Sequence, residues 1–304
     1  MQTRKFQYQD KELHYRVKGD GPLVVLLHGF GEDGTIWQSQ FDIFPEHRLV
    51  VPDLPGSGAS EMIDDMSMEG LAEAVKALIE KETGPSIPQG GSSKAQGSLS
   101  GESAQNTTSL NSRVRSEASA NPPLGGGGAT LIGHSMGGYI TLAFAEKYPA
   151  LLRAFGLFHS SAFADSEEKK ETRRKGIAFI EKNGAFEFLK TSTPNMYSPQ
   201  TKERSPELVE THLASVRNFS AAALVNYYEA MIQRPDRTNV LRSSAVPVLF
   251  VMGRYDNAVL VEDGLKQCYL PALAHIHLLN ASGHMGMREE IDETNRVLSA
   301  FIKF

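Results

Sequence analysis

At 304 residues the chain is long enough for a large core in one or two domains, and its 40% hydrophobic and 22% charged residues are ordinary for a globular protein. A formal net charge of −5 argues against nucleic-acid binding, and a single cysteine, Cys268, excludes an internal disulfide framework. The first residues lack the apolar core of a secretory signal, and no run approaches the roughly 18 apolar residues of a membrane helix, so the expectation is a cytoplasmic protein with no membrane partner.

In chain order, FQYQDKELHYRV alternates well enough to predict an antiparallel hairpin. PLVVLLHG (22–29) and HRLVVPD (47–53) are short apolar runs ending in turn residues, as buried strands do, with a short helix expected from about Asp33 to Phe44. Ser67 can cap a helix running to about Thr83, with Leu71, Val75, Leu78 and Ile79 on one face. From about Gly84 to Gly128 the composition changes to Gly, Ser, Pro, Asn and Ala without an aromatic residue. Its five larger aliphatics, Ile87, Leu99, Leu110, Val114 and Leu124, are too scattered to form a face, which predicts a disordered insertion.

ATLIG (129–133) and LLRAFGLFHS (151–160) read as the next strands, joined by a helix that must end near Tyr148, before Pro149. PVLFVMG (247–253) and HIHLLN (275–280) supply two more, each followed by a helical pattern. Strands alternating with helices predict an α/β fold, a mostly parallel central sheet with helices on both faces. Residues 161 to about 240 break the rhythm and look all-helical. A D-x-x-E pattern at Asp165 and Glu168 marks the start, and SEEKKETRRK reads as a solvated face with a Glu171–Lys175 pair. A helical insertion between two strands would sit over the sheet's C-terminal edge, so the expectation is an inserted helical cap at 161–240 on a core domain of 1–160 and 241–304.

GHSMGG (133–138) is a G-x-S-x-G pattern lying between a strand and a helix, the setting in which it carries chemistry. A sharp turn there strains the backbone of Ser135, and side chains at Gly133 or Gly137 would collide across it. The turn exposes the serine hydroxyl, and the N–H of Met136 at the helix start points where an oxyanion would form. Serine needs a base, and the base needs an acid. Among nine histidines, His284 follows the last strand through the loop ASG and can reach Ser135, with His159 as a rival. His14, His47, His134, His212, His275 and His277 read as structural. For the acid, Asp256 in the loop after PVLFVMG fits the chain order Ser, Asp, His, with Asp165 the alternative and Asp53 and Asp263 read as loop and surface residues. HGFG (28–31) ends the first central strand, so the Phe30 N–H can supply a second oxyanion donor.

In HGFG (28–31), DLPGSGAS (53–60), GHSMGG (133–138), GRYD (253–256) and GH (283–284), in that order, the chain resembles the α/β-hydrolase superfamily everywhere except about 84–128. The resemblance implies a triad of Ser135, Asp256 and His284 with Phe30 and Met136 as oxyanion donors, and no cofactor or metal. Its single H-G-X element looks like that of esterases favouring small to medium acyl groups. A serine nucleophile separates it from the similar dehalogenases and epoxide hydrolases, which use aspartate. The expected activity is therefore hydrolysis of a small-molecule carboxylic ester. Lactone hydrolysis, carbon–carbon cleavage in diketones, cofactor-free perhydrolysis and a hydrolase-like ligand receptor are the alternatives. The cap residues Phe163, Phe179, Phe186, Phe188, Met196, Tyr197, Phe219, Tyr227, Tyr228 and Met231 are candidates for an acyl pocket or for cap core.

Overall fold

Short apolar runs without polar interruption belong inside a sheet covered on both sides, and the strands of this chain take that place. In the computed structural model, which describes residues 1–84 and 128–303, eight strands form one sheet. They are β1 (Gln2–Tyr8), β2 (Lys11–Lys18), β3 (Leu23–Leu27), β4 (Arg48–Pro52), β5 (Ala129–His134), β6 (Leu152–Phe158), β7 (Val248–Gly253) and β8 (Ala274–Leu279). Their spatial order is β1-β2-β4-β3-β5-β6-β7-β8. The β1–β2 hairpin joins antiparallel to β4, and β4 through β8 pair in parallel with their neighbours. The insertion expected at 84–128 lies outside the described residues apart from its ends, Gly84 and Gly128.

The period of two along each strand divides the core between the sheet's faces. Val25 and Leu27 belong to one apolar cluster with α1 (Met68–Thr83) and α2 (Met136–Lys147). Val24 and Leu26 belong to a second, with Ile36 and Trp37. Between β6 and β7 the chain forms α3 (Glu167–Asn183), α4 (Ala185–Ser192), α5 (Pro199–Arg204), α6 (Pro206–Ser215), α7 (Ala221–Gln233) and α8 (Thr238–Arg242). After β7 come α9 (Val261–Leu265), α10 (Gly286–Glu289) and α11 (Ile291–Phe301), the last burying Val297, Leu298 and Phe301 in the second cluster.

The Ser67 hydroxyl accepts from the Gly70 N–H at 3.0 Å, and the predicted face of α1 is buried. α2 ends at Lys147, two residues before Pro149. The segment expected to be helical over 33–44 is instead a tighter 3-10 turn, Gly34–Gln40, started by the Asp33 carboxylate on the Thr35 N–H at 2.7 Å. The cap of α3 is Ser166, which accepts from the Lys169 N–H, and not Asp165. Two arginines draw the Asp165 carboxylate away, Arg173 on the same helix and Arg234 beyond α7. Glu171 pairs one residue earlier than expected, with Arg174 at 3.3 Å rather than Lys175.

Candidate active site

Ser135 stands between β5 and α2 with φ 50° and ψ −116°, a conformation costly for a residue with a side chain. The turn is fixed from both sides. The Ser135 N–H donates to the Phe158 carbonyl at 2.9 Å, and the Ser135 carbonyl accepts from the Gly138 N–H and the Ser160 hydroxyl. A Cβ on Gly133 would stand 2.1 Å from the Gly137 carbonyl oxygen, and one on Gly137 2.6 Å from that of His28. These are the two collisions expected of the turn. Gly138 adds a third, since a Cβ there would meet Ser160 Oγ at 2.3 Å. Met136 opens α2, so its N–H is one of the four that no helical carbonyl satisfies.

The loops after β6, β7 and β8 bring three side chains together. The His284 Nδ1–H donates to Asp256 Oδ2 at 2.8 Å, and all of Asp256, His284 and His159 are buried. Asp256 Oδ1 accepts from the N–H groups of Ala258 and Val259 at 2.8 and 2.9 Å. Burial alone would raise the Asp256 carboxyl, but His284 and His159 outweigh it and hold the group far below the ordinary carboxylate range. Burial also disfavours a charged His284, yet the adjoining Asp256 carboxylate lifts that imidazole above its usual value. His159 occupies the same carboxylate oxygen, its Nδ1 lying 3.0 Å from Asp256 Oδ2. It does not take the place of His284. Its ring is packed beneath the loops, where a Cβ on Gly286 would lie 2.5 Å from Nε2.

A second buried carboxylate lies on the other side. Glu32, directly after HGFG, accepts from the Gly29 N–H at 2.7 Å and faces His134 Nδ1 at 3.0 Å. His134 Nε2 in turn reaches the His284 carbonyl oxygen at 3.0 Å. Burial would raise Glu32, but the neighbouring His134 imidazole prevails and brings it down to about 2. One carboxylate thus ties together the HGFG turn, the residue before the serine and the backbone of His284. His28 locks the same turn to the next loop by accepting the Leu54 N–H at Nε2, 2.9 Å away.

The HGFG loop lies close to the serine: a Cβ on Gly29 would stand 3.1 Å from Ser135 Cβ. Phe30 is partly buried in an apolar cluster formed by the inserted helices, with Leu189 and Leu224 at its centre. Its ring stacks on Tyr228 at 4.3 Å and 11°, and Phe188 meets it edge-on at 6.2 Å. Gly31 has φ 69°, and a Cβ there would lie 2.7 Å from Leu189. The helical segment also reaches the base loop, where the His284 N–H donates to the Met196 carbonyl at 2.6 Å. Of the ten expected cap residues, Tyr227 and Met231 belong to the main core and Tyr197 to the second cluster, while Phe179 is 40% exposed.

The remaining candidates have other partners. Asp165 is bound by Arg173 and Arg234 at 2.5 and 2.9 Å, and Asp53 by Arg16 at 2.6 Å and the Gly34 N–H at 2.9 Å. Asp263 pairs with Lys266 on the surface, and His212 meets the Tyr197 hydroxyl. Glu32, His134 and the second contact of Asp256 were not foreseen. Adjacency was the available signal, since Glu32 follows HGFG and His134 precedes Ser135. One potential ligand atom from each of His159, Asp256 and His284 lies within 4.8 Å of the others, and these are ligand types a metal accepts. The 2.8 and 3.0 Å separations are those of hydrogen bonds.

A model described as the alpha/beta hydrolase family matches residues 24–297. The chain is 26% identical, over 96% of its length and 91% of the relative's, to a 2-hydroxy-6-oxononadienedioate/2-hydroxy-6-oxononatrienedioate hydrolase of Burkholderia vietnamiensis. It is 23% identical to 3-oxoadipate enol-lactonase 2 of Acinetobacter baylyi, over 97% of its length and 94% of that protein. Among solved structures, a thermophilic esterase of Thermogutta terrifontis superposes with a TM-score of 0.79 at 23% identity, over 100% of this chain and 98% of the other. No helix among the described residues is long and apolar enough to cross a membrane.

Proposed function

Because the chain belongs to the alpha/beta hydrolase family and is a hydrolase, we propose that it cleaves carboxylic esters of small to medium acyl groups through an acyl-enzyme on Ser135. In this reading Ser135 Oγ attacks the acyl carbon while His284 Nε2 takes its proton. Asp256 holds the His284 tautomer and stabilises the cation that forms. The N–H groups of Phe30 and Met136 receive the oxyanion. His284 then protonates the leaving alcohol, and a water activated by the same imidazole releases the acid. The reaction so written uses no cofactor and no metal. Residues 161–240 act as a cap, with the Phe30, Phe188 and Tyr228 rings walling the acyl side.

The observation that carries this reading is the 2.8 Å bond from His284 to a buried, ionised Asp256, beside a serine held at φ 50°. The test is turnover of p-nitrophenyl acetate and butyrate by the protein and by Ser135→Ala. The variant should lose activity by on the order of 10⁶-fold, and unchanged turnover would remove Ser135 from the mechanism.

A second reading keeps the same residues and changes the bond. Relatives matching over almost the whole chain are named as a 2-hydroxy-6-oxononadienedioate/2-hydroxy-6-oxononatrienedioate hydrolase and a 3-oxoadipate enol-lactonase. A panel of acyl esters, lactones and 1,5-diketones separates the readings. Diketone or lactone turnover exceeding that of every ester, and lost in Ser135→Ala, selects the second.

A further inference from the structure

Asp256 accepts four hydrogen bonds, the full capacity of a carboxylate. Two backbone N–H groups take Oδ1, and the two imidazoles of His284 and His159 share Oδ2. The mechanism proposed above uses only one of those imidazoles. We infer that His159 is a positioning residue: by donating its Nδ1–H to the oxygen that also holds His284, it fixes the acid and weakens the acid's hold on the base. The inference rests on Asp256 and His284 being the acid and base of the reaction.

The fold keeps His159 at some cost. It is one of three described non-glycine residues at positive φ, 49°, and its buried Nε2 has no hydrogen-bond partner. Both features are destabilising. Room for the ring comes from two missing side chains: a Cβ on Gly253 would lie 2.7 Å from Cε1, and one on Gly286 2.5 Å from Nε2. Nothing in this packing needs an imidazole except the bond to Asp256. Chemistry then decides the tautomer. The ionised carboxylate only accepts, so the Asp256 bond requires Nδ1–H, and the bare Nε2 is left buried against Gly286 without a partner. A second proton would leave a buried N–H unsatisfied, and burial accordingly holds His159 down to about 4, neutral at physiological pH.

A neutral N–H on the shared oxygen competes with His284 for its negative charge. Other groups also face His284. Glu32 supports its charged form, Lys169, held on the Ala258 carbonyl, opposes it, and His134 bonds its carbonyl oxygen. From the end of α10, Glu289 accepts from the N–H groups of Gly283 and Met285, and Glu290, just beyond it, accepts from the Ala281 N–H and the Ser282 hydroxyl. Of these side chains, His159 is the one that acts through the acid itself, on the oxygen that holds His284. Removing it should concentrate the Asp256 charge on His284 and make the base protonate at higher pH.

The test is the pH profile of kcat/KM for p-nitrophenyl butyrate from about pH 5 to about pH 9. His159→Ala should lose an additional three- to tenfold at the acidic end relative to the alkaline plateau, a displacement of up to about one unit. His159→Asn offers an N–H near the Nδ1 position and tolerates positive φ, so its acidic limb should coincide with the wild type. An unmoved limb in the alanine variant, or an equal displacement in the asparagine variant, overturns the inference. Asp256→Asn and Ser135→Ala are measured beside them. Retained activity in either places the failure in the acid and nucleophile assignments instead of His159. If His159→Ala does not fold, histidine ¹⁵N shifts of the wild type, assigned by loss of the His159 signals in the asparagine variant, decide the matter. A neutral Nδ1–H tautomer from about pH 5.5 to about pH 8 supports it, and an Nε2–H tautomer overturns it.

Discussion

Asp165 and Asp256 are the same residue in nearly the same circumstances. Each lies in a loop after a central strand, 5% and 4% exposed, and each accepts from two basic side chains. Burial would raise both, and the partners pull both down, Asp165 to about 2. The difference lies in the partners. The partners of Asp165 are guanidinium groups, a permanently charged side-chain type, so the Asp165 cluster holds helices together and has no proton to move. One partner of Asp256, His284, is an imidazole lifted above its usual value, a group that gains and loses a proton near neutrality, while His159 stays neutral there. In the proposed reaction the Asp256 charge therefore has a titrating partner to answer. A buried carboxylate is marked for chemistry by whether its partners titrate, more than by its own burial or shift.

The largest expected effect breaks this comparison directly. Asp256→Asn should lower kcat by about 10⁴-fold, because the amide cannot hold the His284 tautomer. Asp165→Asn should leave kcat of the folded protein unchanged while costing about 3 kcal/mol of stability, since it deprives buried guanidinium groups of their counter-charge. Kinetics and urea unfolding on the two variants check both, and an exchange of outcomes would assign the acid to Asp165. Glu32→Gln should cost a comparable ~3 kcal/mol at pH 7. The folded Glu32 carboxyl sits near 2 against an ordinary 4.5, so its contribution is complete above 4.5 and fades as pH falls towards 2. The stability gap between wild type and variant should therefore close over that interval.

The pH profile sharpens the comparison further. In the proposed mechanism His284 acts as a base when deprotonated, and its value is raised, so the acidic limb of kcat/KM should lie above the ordinary imidazole value in the wild type. Asp165→Asn should keep that limb where it is, because its arginines do not report on the imidazole. The smallest effect concerns the helices over the oxyanion loop. Tyr228→Leu removes the ring stacked on Phe30 and should cost about 1 kcal/mol, with a change in KM exceeding that in kcat.

The fold was legible because its signals are local. Apolar runs at β3, β5 and β7, Ser67 at a helix start and Pro149 beyond a helix end each act within a few residues. The serine turn was legible for the same reason, through collisions between Gly133, Gly137 and their neighbours. What stayed hidden depends on partners far along the chain. The cap of α3 moved to Ser166 because Arg234 reaches Asp165 from 69 residues away. Glu32 and His134 meet across 102 positions, and His159 meets Asp256 across 97. Spacing carries no record of where an imidazole points. The glycines that admit the His159 ring, Gly253 and Gly286, look in the sequence like ordinary turn residues.

Glu32 has a mechanical consequence as well. Through the Gly29 N–H, His134 and the His284 carbonyl it links the turn after β3, the last residue of β5 and the loop after β8. Loops of this kind usually fluctuate independently, each with its own free energy of opening. Here an excursion of one must break a bond on which another depends. Amide hydrogen exchange at Gly29, in the turn around Ser135 and beside His284 should therefore proceed with a common opening free energy. In Glu32→Gln the three should separate into distinct rates.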